Sequence, residues 1–269
     1  MLSSFDKILT VDIVAPIMKR WRARKGQTKI PILMYHSVSE ATEAGHPYFW
    51  LNTHPKLFER QMTFLKVQGY DVIGLHEAVH LLEAPDADIE SDSRKVVITF
   101  DDGFMDFYAN ALPVLLEHGY VATLFIPVEL IGESPKKIDG RLYMSWSQVR
   151  EARDRGVVIG SHGLLHVPLG ELDRKRRKEE IIRSKEVIEQ KIGAPVNFFS
   201  FPYAFPEGLP ELLAELKVTL IGSGYQASVT TRIGLARRGE SVFFLRRLPV
   251  NSRDTIEFLQ AKLLGAYDW

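Results

Sequence analysis

The stretch KVVITFDDGFMDFYANALPVLLEHGYVATLFIP, residues 95–127, shows an order of elements that continues along the chain. Residues 95–100 are a short apolar run rich in β-branched side chains, which is typical of a buried strand. Residues 106–118 carry apolar side chains at helical spacing and end before Gly119, and residues 121–127 are a second apolar run. A strand, a helix and another strand in succession predict a unit with parallel strands.

The same alternation extends in both directions from this unit. Towards the C-terminus we predict helix 145–155 before Gly156, strand 157–160, helix 173–192 between Asp173 and Gly193, strand 196–201, helix 208–216, strand 218–222, strand 242–248 and helix 253–264. Towards the N-terminus we predict strand 30–38, loop 39–53, a helix from Pro55 to Gly69, strand 72–73, helix 76–83 and an exposed loop at 84–94. The pattern predicts an α/β fold whose mainly parallel sheet is either open or closed into a barrel.

Composition excludes several kinds of site and partner. The 269 residues are 45% hydrophobic, which suits one catalytic domain. Lys and Arg total 34, as do Asp and Glu, so no net charge directs the protein towards nucleic acid. The chain has no cysteine, which excludes disulfides and thiolate metal sites. Any metal ion must therefore be held by His and carboxylate side chains.

The first 28 residues are predicted to form an amphipathic helix or extension ahead of a catalytic domain at 29–269. Apolar residues recur at helical spacing and basic residues follow them: Phe5, Leu9, Ile13, Ile17 and Trp21, then Lys19, Arg20, Arg22, Arg24 and Lys25. We favour a helix packed on the domain or on a partner subunit, and the alternative is contact of residues 2–25 with a membrane surface. Early charged residues argue against a signal peptide, no run is long enough to span a membrane, and a cytoplasmic location is expected.

Chemistry in such folds lies at the carboxyl ends of the strands. The predicted strands end in ionisable or conformationally special residues, which we expect to meet on one rim: His36, Asp101-Asp102-Gly103, Pro127, Ser161-His162 and Pro202-Tyr203. Two of these segments suggest a metal site, and each has an alternative interpretation.

Asp101 and Asp102 follow an apolar strand and precede Gly103. Adjacent carboxylates repel each other, so a cation or a shared proton is expected beside them. Asp-Asp-Gly is equally typical of a turn that leads into a helix. His162 and His166 lie four residues apart after the predicted strand 157–160. Two His at this spacing can bind one metal ion, but the spacing can also arise by chance. Two His and one Asp with an open position would suit a hydrolytic divalent metal.

These two segments resemble the motifs of a known family. TFDDG at 99–103 and SHGLLH at 161–166 are similar to the first two motifs of the polysaccharide deacetylases of the NodB-homology type, carbohydrate esterase family four. Supporting matches are PILMYH at 31–36, Trp146 and the variant third motif Phe201-Pro202-Tyr203. The resemblance covers residues 29–260 and implies a distorted (β/α) barrel of about seven parallel strands.

The resemblance also implies roles for individual residues. Asp101 would be the general base that takes a proton from the attacking water. Asp102, His162 and His166 would bind a divalent metal, most commonly zinc, although Co²⁺, Ni²⁺ and Mn²⁺ also suit these ligands. The backbone N–H of Tyr203 would help to hold the oxyanion that forms during hydrolysis.

The chain departs from the family pattern at two positions. The third motif usually begins with an Arg that orients the catalytic Asp, and here Ser200 takes that place. Arg246 or Arg247, near the end of a late strand, is a candidate replacement, or else each is a surface Arg. The family's late His, a general acid for the leaving amine, is also missing. His36, at the end of the first strand, is the best candidate to act instead, although a structural hydrogen-bonding role is the alternative.

The predicted function is metal-dependent removal of N-acetyl groups from N-acetylated sugars, with an N-acetyl hexosamine substrate and no nucleic acid partner. Alternatives are hydrolysis of another non-peptide amide, such as an N-formyl group on a lipid-linked sugar or a small cyclic amide, and a non-catalytic carbohydrate-binding relic of the fold. Elsewhere, the basic run 174–178 and the following Glu179 and Glu180 are predicted to form a solvated helix face.

Overall fold

The computed structural model describes residues 28–41, 50–84 and 94–267. The predicted N-terminal helix, with its alternative of membrane contact at residues 2–25, lies outside the described residues and stays a prediction. Most of the two predicted loops at 39–53 and 84–94 lies outside them as well. No helix in the described ranges combines the length and apolar character needed to cross a bilayer.

Strands and helices alternate through the described residues. The strands are β1 (Lys29–Ile30), β2 (Ile32–Tyr35), β3 (Ser37–Val38), β4 (Asn52–Thr53), β5 (Asp71–Val72), β6 (Lys95–Phe100), β7 (Thr123–Ile126), β8 (Lys136–Ile138), β9 (Arg141–Tyr143), β10 (Val158–Ser161), β11 (Phe198–Ser200), β12 (Ala227–Ile233), β13 (Ala236–Arg237) and β14 (Leu245–Pro249). The α-helices are α1 (Pro55–Val67), α2 (Leu75–Glu83), α3 (Leu112–His118), α4 (Trp146–Asp154), α5 (Arg174–Ile192), α6 (Pro210–Gly222) and α7 (Ile256–Leu263). Short 3₁₀ turns cover Val128–Leu130, Leu169–Glu171 and Val242–Phe244, and a π-helical turn at Phe107–Ala111 leads into α3.

Seven parallel strands of the described chain close into a barrel. Their order is β2, β14, β12, β11, β10, β7 and β6, and β6 pairs with β2 to complete the ring. The short strand β5 adds to the start of β6. The predicted α/β barrel of about seven parallel strands is therefore confirmed.

Strands β2, β6 and β7 bury both faces, which explains their nearly continuous apolar sequences. Inside the barrel, apolar side chains from five strands pack together: Ile32, Val97, Phe125, Phe198 and Leu245. Gly160 on β10 makes room for one of them, because a Cβ atom there would lie 2.4 Å from the Phe125 ring. The outward faces of the same strands pack against the surrounding helices.

Helix α5 shows why several boundaries could be predicted. Asp173 caps its N-terminus by accepting a hydrogen bond from the Arg176 amide at 2.9 Å. Gly193 ends it in the left-handed conformation with φ 66°. Both residues agree with the prediction of a helix at 173–192.

The predicted strand at 218–222 is wrong, because these residues form the second half of α6. Their β-branched, apolar composition resembles a strand, but Leu216 and Leu220 are buried one turn apart while Val218 is 70% exposed. The strand that pairs between β11 and β14 is instead β12, whose Thr-rich sequence was not predicted. The antiparallel hairpin β8–β9 was not predicted either.

A buried ion pair holds the last helix against the barrel. Lys262 on α7 donates to both carboxylate oxygens of Asp254 at 2.9 Å and to the Pro249 carbonyl. The two side chains are only 4% and 3% exposed. The pair therefore connects α7 to the segment that follows β14.

Replacing Lys262 by Met is expected to lower the free energy of unfolding by about 3–5 kcal/mol, because Asp254 would be left buried and unpaired. Urea-induced unfolding followed by circular dichroism measures the change. Lys66→Met, at an exposed position on α1, is the matched control and should unfold like the wild type. Equal stability of the Lys262 and Lys66 variants would contradict the prediction.

Candidate metal centre and active site

The carboxyl ends of β6, β10 and β11 bring the predicted motifs to one rim of the barrel. Asp101 and Asp102 follow β6 directly, and His162 follows β10. The His162 amide donates to the Ile126 carbonyl at 2.9 Å, so sheet pairing continues into the site. Asp102 adopts φ 75° and Gly103 φ 70°, which turns the chain and lets both carboxylates face the same region. The acid pair is thus both a turn and part of a site.

Asp102, His162 and His166 form a cluster with the geometry of a metal site. One ligand atom from each lies within 4.8 Å of the other two. Asp102 Oδ1 is 3.4 Å from His162 Nε2 and 3.2 Å from His166 Nε2. His162 Nδ1 donates to the Ser200 carbonyl at 2.9 Å, because a carbonyl can only accept. This bond leaves Nε2 directed at the cluster, where it donates to Asp102 when protonated and offers a lone pair to a cation when deprotonated.

The electrostatics of the cluster favour a cation. Burial raises the pKa of Asp102, but hydrogen bonds from His162 and His166 outweigh it and hold the pKa well below its usual value. Burial lowers the pKa of His162, while Asp101 and Asp102 together raise it above the ordinary value. Two carboxylates thus attract positive charge to this point. Two His and one carboxylate are a ligand set that fits a catalytic divalent ion.

Arg247 replaces the Arg that the third motif lacks. It is fully buried inside the barrel, where its Nη1 and Nη2 donate to the two Asp101 carboxylate oxygens at 2.8 and 2.7 Å. Nη2 also donates to the Ser200 hydroxyl at 3.0 Å. Of the two candidates, Arg246 points the other way and lies 3.5 Å from Glu240. The bidentate pair fixes the orientation of the Asp101 carboxylate.

The pKa of Asp101 reflects this pairing. Burial raises the pKa of the carboxyl, but the charge and hydrogen bonds of Arg247, together with His162 and His36, hold it below its ordinary value. Asp101 is therefore ionised and able to accept a proton. Its Oδ2 lies 4.0 Å from Nε2 of both His36 and His162.

His36 lies beside Asp101 at the end of β2, with a side chain that is 15% exposed. Burial lowers its pKa, and the nearby Asp102 and Asp101 only partly oppose that effect. A lowered pKa favours the neutral ring, so His36 can donate a proton only after it has taken one up in the site. The position agrees with the prediction that this His reaches the site, and its catalytic role stays a prediction.

Tyr203 reaches the site from the loop after β11. Its ring packs on His166 with centroids 4.9 Å apart, and its side chain is 55% exposed. Thr231 on β12 donates to the Tyr203 carbonyl at 3.0 Å. Within the described residues the Tyr203 amide has no backbone acceptor, so this N–H is available to another group.

Backbone strain is concentrated at this rim. Four described residues other than glycine have positive φ, and three of them are Asp102 (75°), His166 (56°) and Tyr203 (56°). Such conformations cost free energy and persist where the surrounding structure holds them. The structure brings together the six residues predicted for the site, and three of them adopt strained backbone conformations there. The six are Asp101, Asp102, His162, His166, Tyr203 and His36.

Two contacts at the site were not predicted. The Ser200 hydroxyl bridges Asp101 and Arg247. Glu180 was predicted to be solvated, but it is 3% exposed and accepts hydrogen bonds from the Leu164 and Leu165 amides. That prediction is wrong because Glu180 lies beside Ile181 on the buried face of α5. The apolar and small residues at 181, 184, 188 and 192 mark that face in the sequence.

Comparisons with known proteins point to one family. The family profile described as polysaccharide deacetylase matches residues 88–220. YxkH of Bacillus subtilis, whose name places it provisionally among the polysaccharide deacetylases, is 32% identical over 232 residues, which cover 86% of this chain and 75% of YxkH. The poly-beta-1,6-N-acetyl-D-glucosamine N-deacetylase of Escherichia coli K12 is 24% identical over 85% of this chain. The chain spans 38% of that enzyme's length.

A solved structure supports the same fold. The Streptococcus pyogenes deacetylase PplD, solved in complex with acetate, aligns with a TM-score of 0.72 and 22% identity, over 88% of this chain and 99% of PplD. The family is metal-dependent, and the Asp102 cluster has the donors such an ion needs. From the profile match and the similarity to YxkH, the chain belongs to the polysaccharide deacetylase family and, like its N-deacetylase relatives, is a hydrolase of carbon–nitrogen bonds other than peptide bonds.

Proposed function

We propose that this protein hydrolyses the N-acetyl groups of N-acetyl hexosamine units in a polysaccharide or glycan precursor. The observation that carries the proposal is the convergence of Asp102, His162 and His166 beside an Asp101 held by Arg247. The printed substrate of the E. coli relative, poly-beta-1,6-N-acetyl-D-glucosamine, supports an N-acetylglucosamine polymer as the substrate class. Residues 29–269 would form the catalytic unit.

Asp102, His162 and His166 would hold a divalent ion, and Zn²⁺ is the proposed metal because two imidazoles and a carboxylate suit it. When bound, such an ion polarises the acetamide carbonyl and lowers the pKa of the attacking water. The chain's own contribution begins with His162, whose hydrogen bond to the Ser200 carbonyl keeps its Nε2 directed at the cluster.

Asp101 would accept the proton of the attacking water as that oxygen adds to the acetamide carbon. Arg247 keeps the Asp101 carboxylate ionised and oriented for this transfer. The backbone N–H of Tyr203 would donate to the oxyanion, and one such donor contributes about 3 kcal/mol to transition-state stabilisation. The proton taken up by Asp101 would then pass to the leaving nitrogen through His36, whose Nε2 lies 4.0 Å from Asp101 Oδ2, so that the C–N bond breaks to a free amine and acetate.

Replacing His36 by Ala is expected to lower kcat about 100-fold, the lower end of the range for a lost general acid, because water can reach a side chain that is 15% exposed. Metal content should stay at the wild-type level, since the three proposed ligands are intact. Acetate release at saturating substrate, normalised to bound metal, measures the effect. The exposed His76→Ala serves as control, and a His36 variant as active as this control would contradict the assignment.

The proposal is tested by elemental analysis of purified protein beside Asp102→Ala, together with acetate release from β-1,6-linked and β-1,4-linked N-acetylglucosamine oligomers. About one divalent ion per chain, lost in the variant together with acetate release, is the expected result. Asp154→Ala, at an exposed acid on α4, should keep both the ion and the activity.

The same experiment separates the alternatives. If the wild type binds metal but releases no acetate, the substrate is instead an N-formyl, lipid-linked or small cyclic amide. Failure of the wild type to bind zinc would overturn the metal-dependent mechanism and favour a non-catalytic carbohydrate-binding protein. The preference between the two oligomers would identify the linkage that the rim accepts.

A further inference from the structure

We infer that Glu180 is a positioning residue that holds the loop between the two proposed His ligands. The inference rests on the proposed function, because it concerns how the chain presents a metal ion with His162 and His166. One carboxylate oxygen of Glu180 accepts hydrogen bonds from the Leu164 amide at 2.7 Å and the Leu165 amide at 3.0 Å. Both amides belong to residues between the two His.

The environment of Glu180 explains why an acid is buried there. Its side chain is 3% exposed on α5, and no basic side chain of the described residues forms an ion pair with it. A buried carboxylate is costly unless hydrogen bonds to its charge compensate for lost water. The two loop amides supply such charge-assisted hydrogen bonds. Burial of Glu180 and the conformation of the loop therefore depend on each other.

The opposite side of the loop is held by a different element. The amides of Val128 and Glu129, in the 3₁₀ turn after β7, donate to the Gly163 carbonyl at 3.2 Å and the Leu164 carbonyl at 3.0 Å. The turn after β7 thus holds two of the loop's carbonyls, while Glu180 on α5 holds the Leu164 and Leu165 amides. Without Glu180, half of these constraints would be lost.

The loop needs such constraints because it is strained. His166 has φ 56°, a conformation that residues other than glycine rarely adopt. Gly163 has φ 83°, and a Cβ atom there would lie 3.0 Å from the Glu180 carboxylate. A relaxed loop would move His166 away from Asp102 and His162. The expected consequence is weaker metal binding, because outer contacts that orient metal ligands commonly change affinity by roughly 10–100-fold.

The test compares zinc affinity, by competition with a chromophoric chelator, in the full-length wild type, Glu180→Ala, Glu180→Gln and Glu179→Ala. Glu179 is the matched control because it is the preceding, exposed acid of the same helix. We expect Glu180→Ala to weaken zinc binding roughly 10–100-fold and Glu179→Ala to leave it unchanged. Glu180→Gln keeps an acceptor oxygen for the loop amides and should lose less affinity than Glu180→Ala.

The second measurement is hydrogen exchange of the Leu164 and Leu165 amides. A general loss of stability would speed exchange throughout the protein and not at these two amides in particular. A larger increase in exchange at these two amides than at the Tyr120 amide, which donates to the Leu115 carbonyl outside the loop, supports the inference. Glu180→Gln serves if Glu180→Ala does not fold. Wild-type zinc affinity or unchanged exchange in the Glu180 variants would overturn it. Absence of zinc binding in the wild type would instead overturn the proposed function, and this inference with it.

Discussion

Replacing Asp101 by Asn is expected to lower kcat by about 10³–10⁴-fold, in the upper part of the range for removal of a general base. The amide cannot accept a proton from the attacking water, whereas Asp102, His162 and His166 are untouched. Zinc content should therefore stay near the wild-type value. Acetate release at saturating substrate, divided by bound metal, measures the effect on the chemical step.

Asp102→Asn is the matched comparison for Asp101→Asn, since it makes the same chemical change at the adjacent residue. It should lose metal and activity together, whereas Asp101→Asn should lose activity alone. Circular dichroism establishes that both variants are folded. A kcat for Asp101→Asn within tenfold of the wild type would exclude Asp101 as the base.

Replacing Arg247 by Met is expected to lower the free energy of unfolding by about 3–5 kcal/mol, because it leaves the Asp101 carboxylate buried without its ion-pair partner. Both side chains are almost fully buried, at 0% and 1% exposure. The pKa of Asp101 should rise, since burial raises it and the charge of Arg247 would no longer oppose that effect. Urea-induced unfolding measures the stability change.

The neighbouring Arg246 provides a control on the same strand. Its side chain is 25% exposed and its contact with Glu240 is 3.5 Å, so Arg246→Met should cost about 1 kcal/mol or less. The double variant Arg247→Met with Asp101→Asn removes both charges and should recover part of the stability. Equal stability of the Arg247 and Arg246 variants would show that the buried pair does not stabilise the fold.

The cluster of Asp102, His162 and His166 could be predicted from sequence because its residues occur in short, contiguous motifs. TFDDG and SHGLLH each place their functional side chains directly after a strand. Parallel strands then bring these ends to one rim, whatever the details of packing. The sequence therefore predicts that the acids and the two His lie in one site.

Short motifs do not show which of Arg246 and Arg247 pairs with Asp101. Arg246 and Arg247 are adjacent on β14, so one faces the barrel interior and the other faces outward. A shift of one residue in the predicted strand would exchange them. Only the contacts of Arg247 with Asp101 and Ser200 distinguish the two.

Errors in the fold arose where local composition conflicted with tertiary packing. Residues 218–222 have strand-like side chains, yet burial of Leu216 and Leu220 stabilises a helix there. Glu180 lies in a run of exposed charges, and although the helical spacing of its buried neighbours marks its face, the sequence does not show the distant loop that it contacts. Such contacts depend on which elements become neighbours, and local periodicity carries no information about that.

Closure of the barrel makes β2 and β14, an early and a late strand of the described residues, neighbours in space. Strand β2 pairs with β14, although more than 200 residues separate them along the chain. A functional side chain that is absent after a late strand such as β14 can therefore be replaced by one that follows an early strand such as β2. His36 and Arg247 occupy this seam, so the order in which a chain presents its functional groups does not limit which of them can meet.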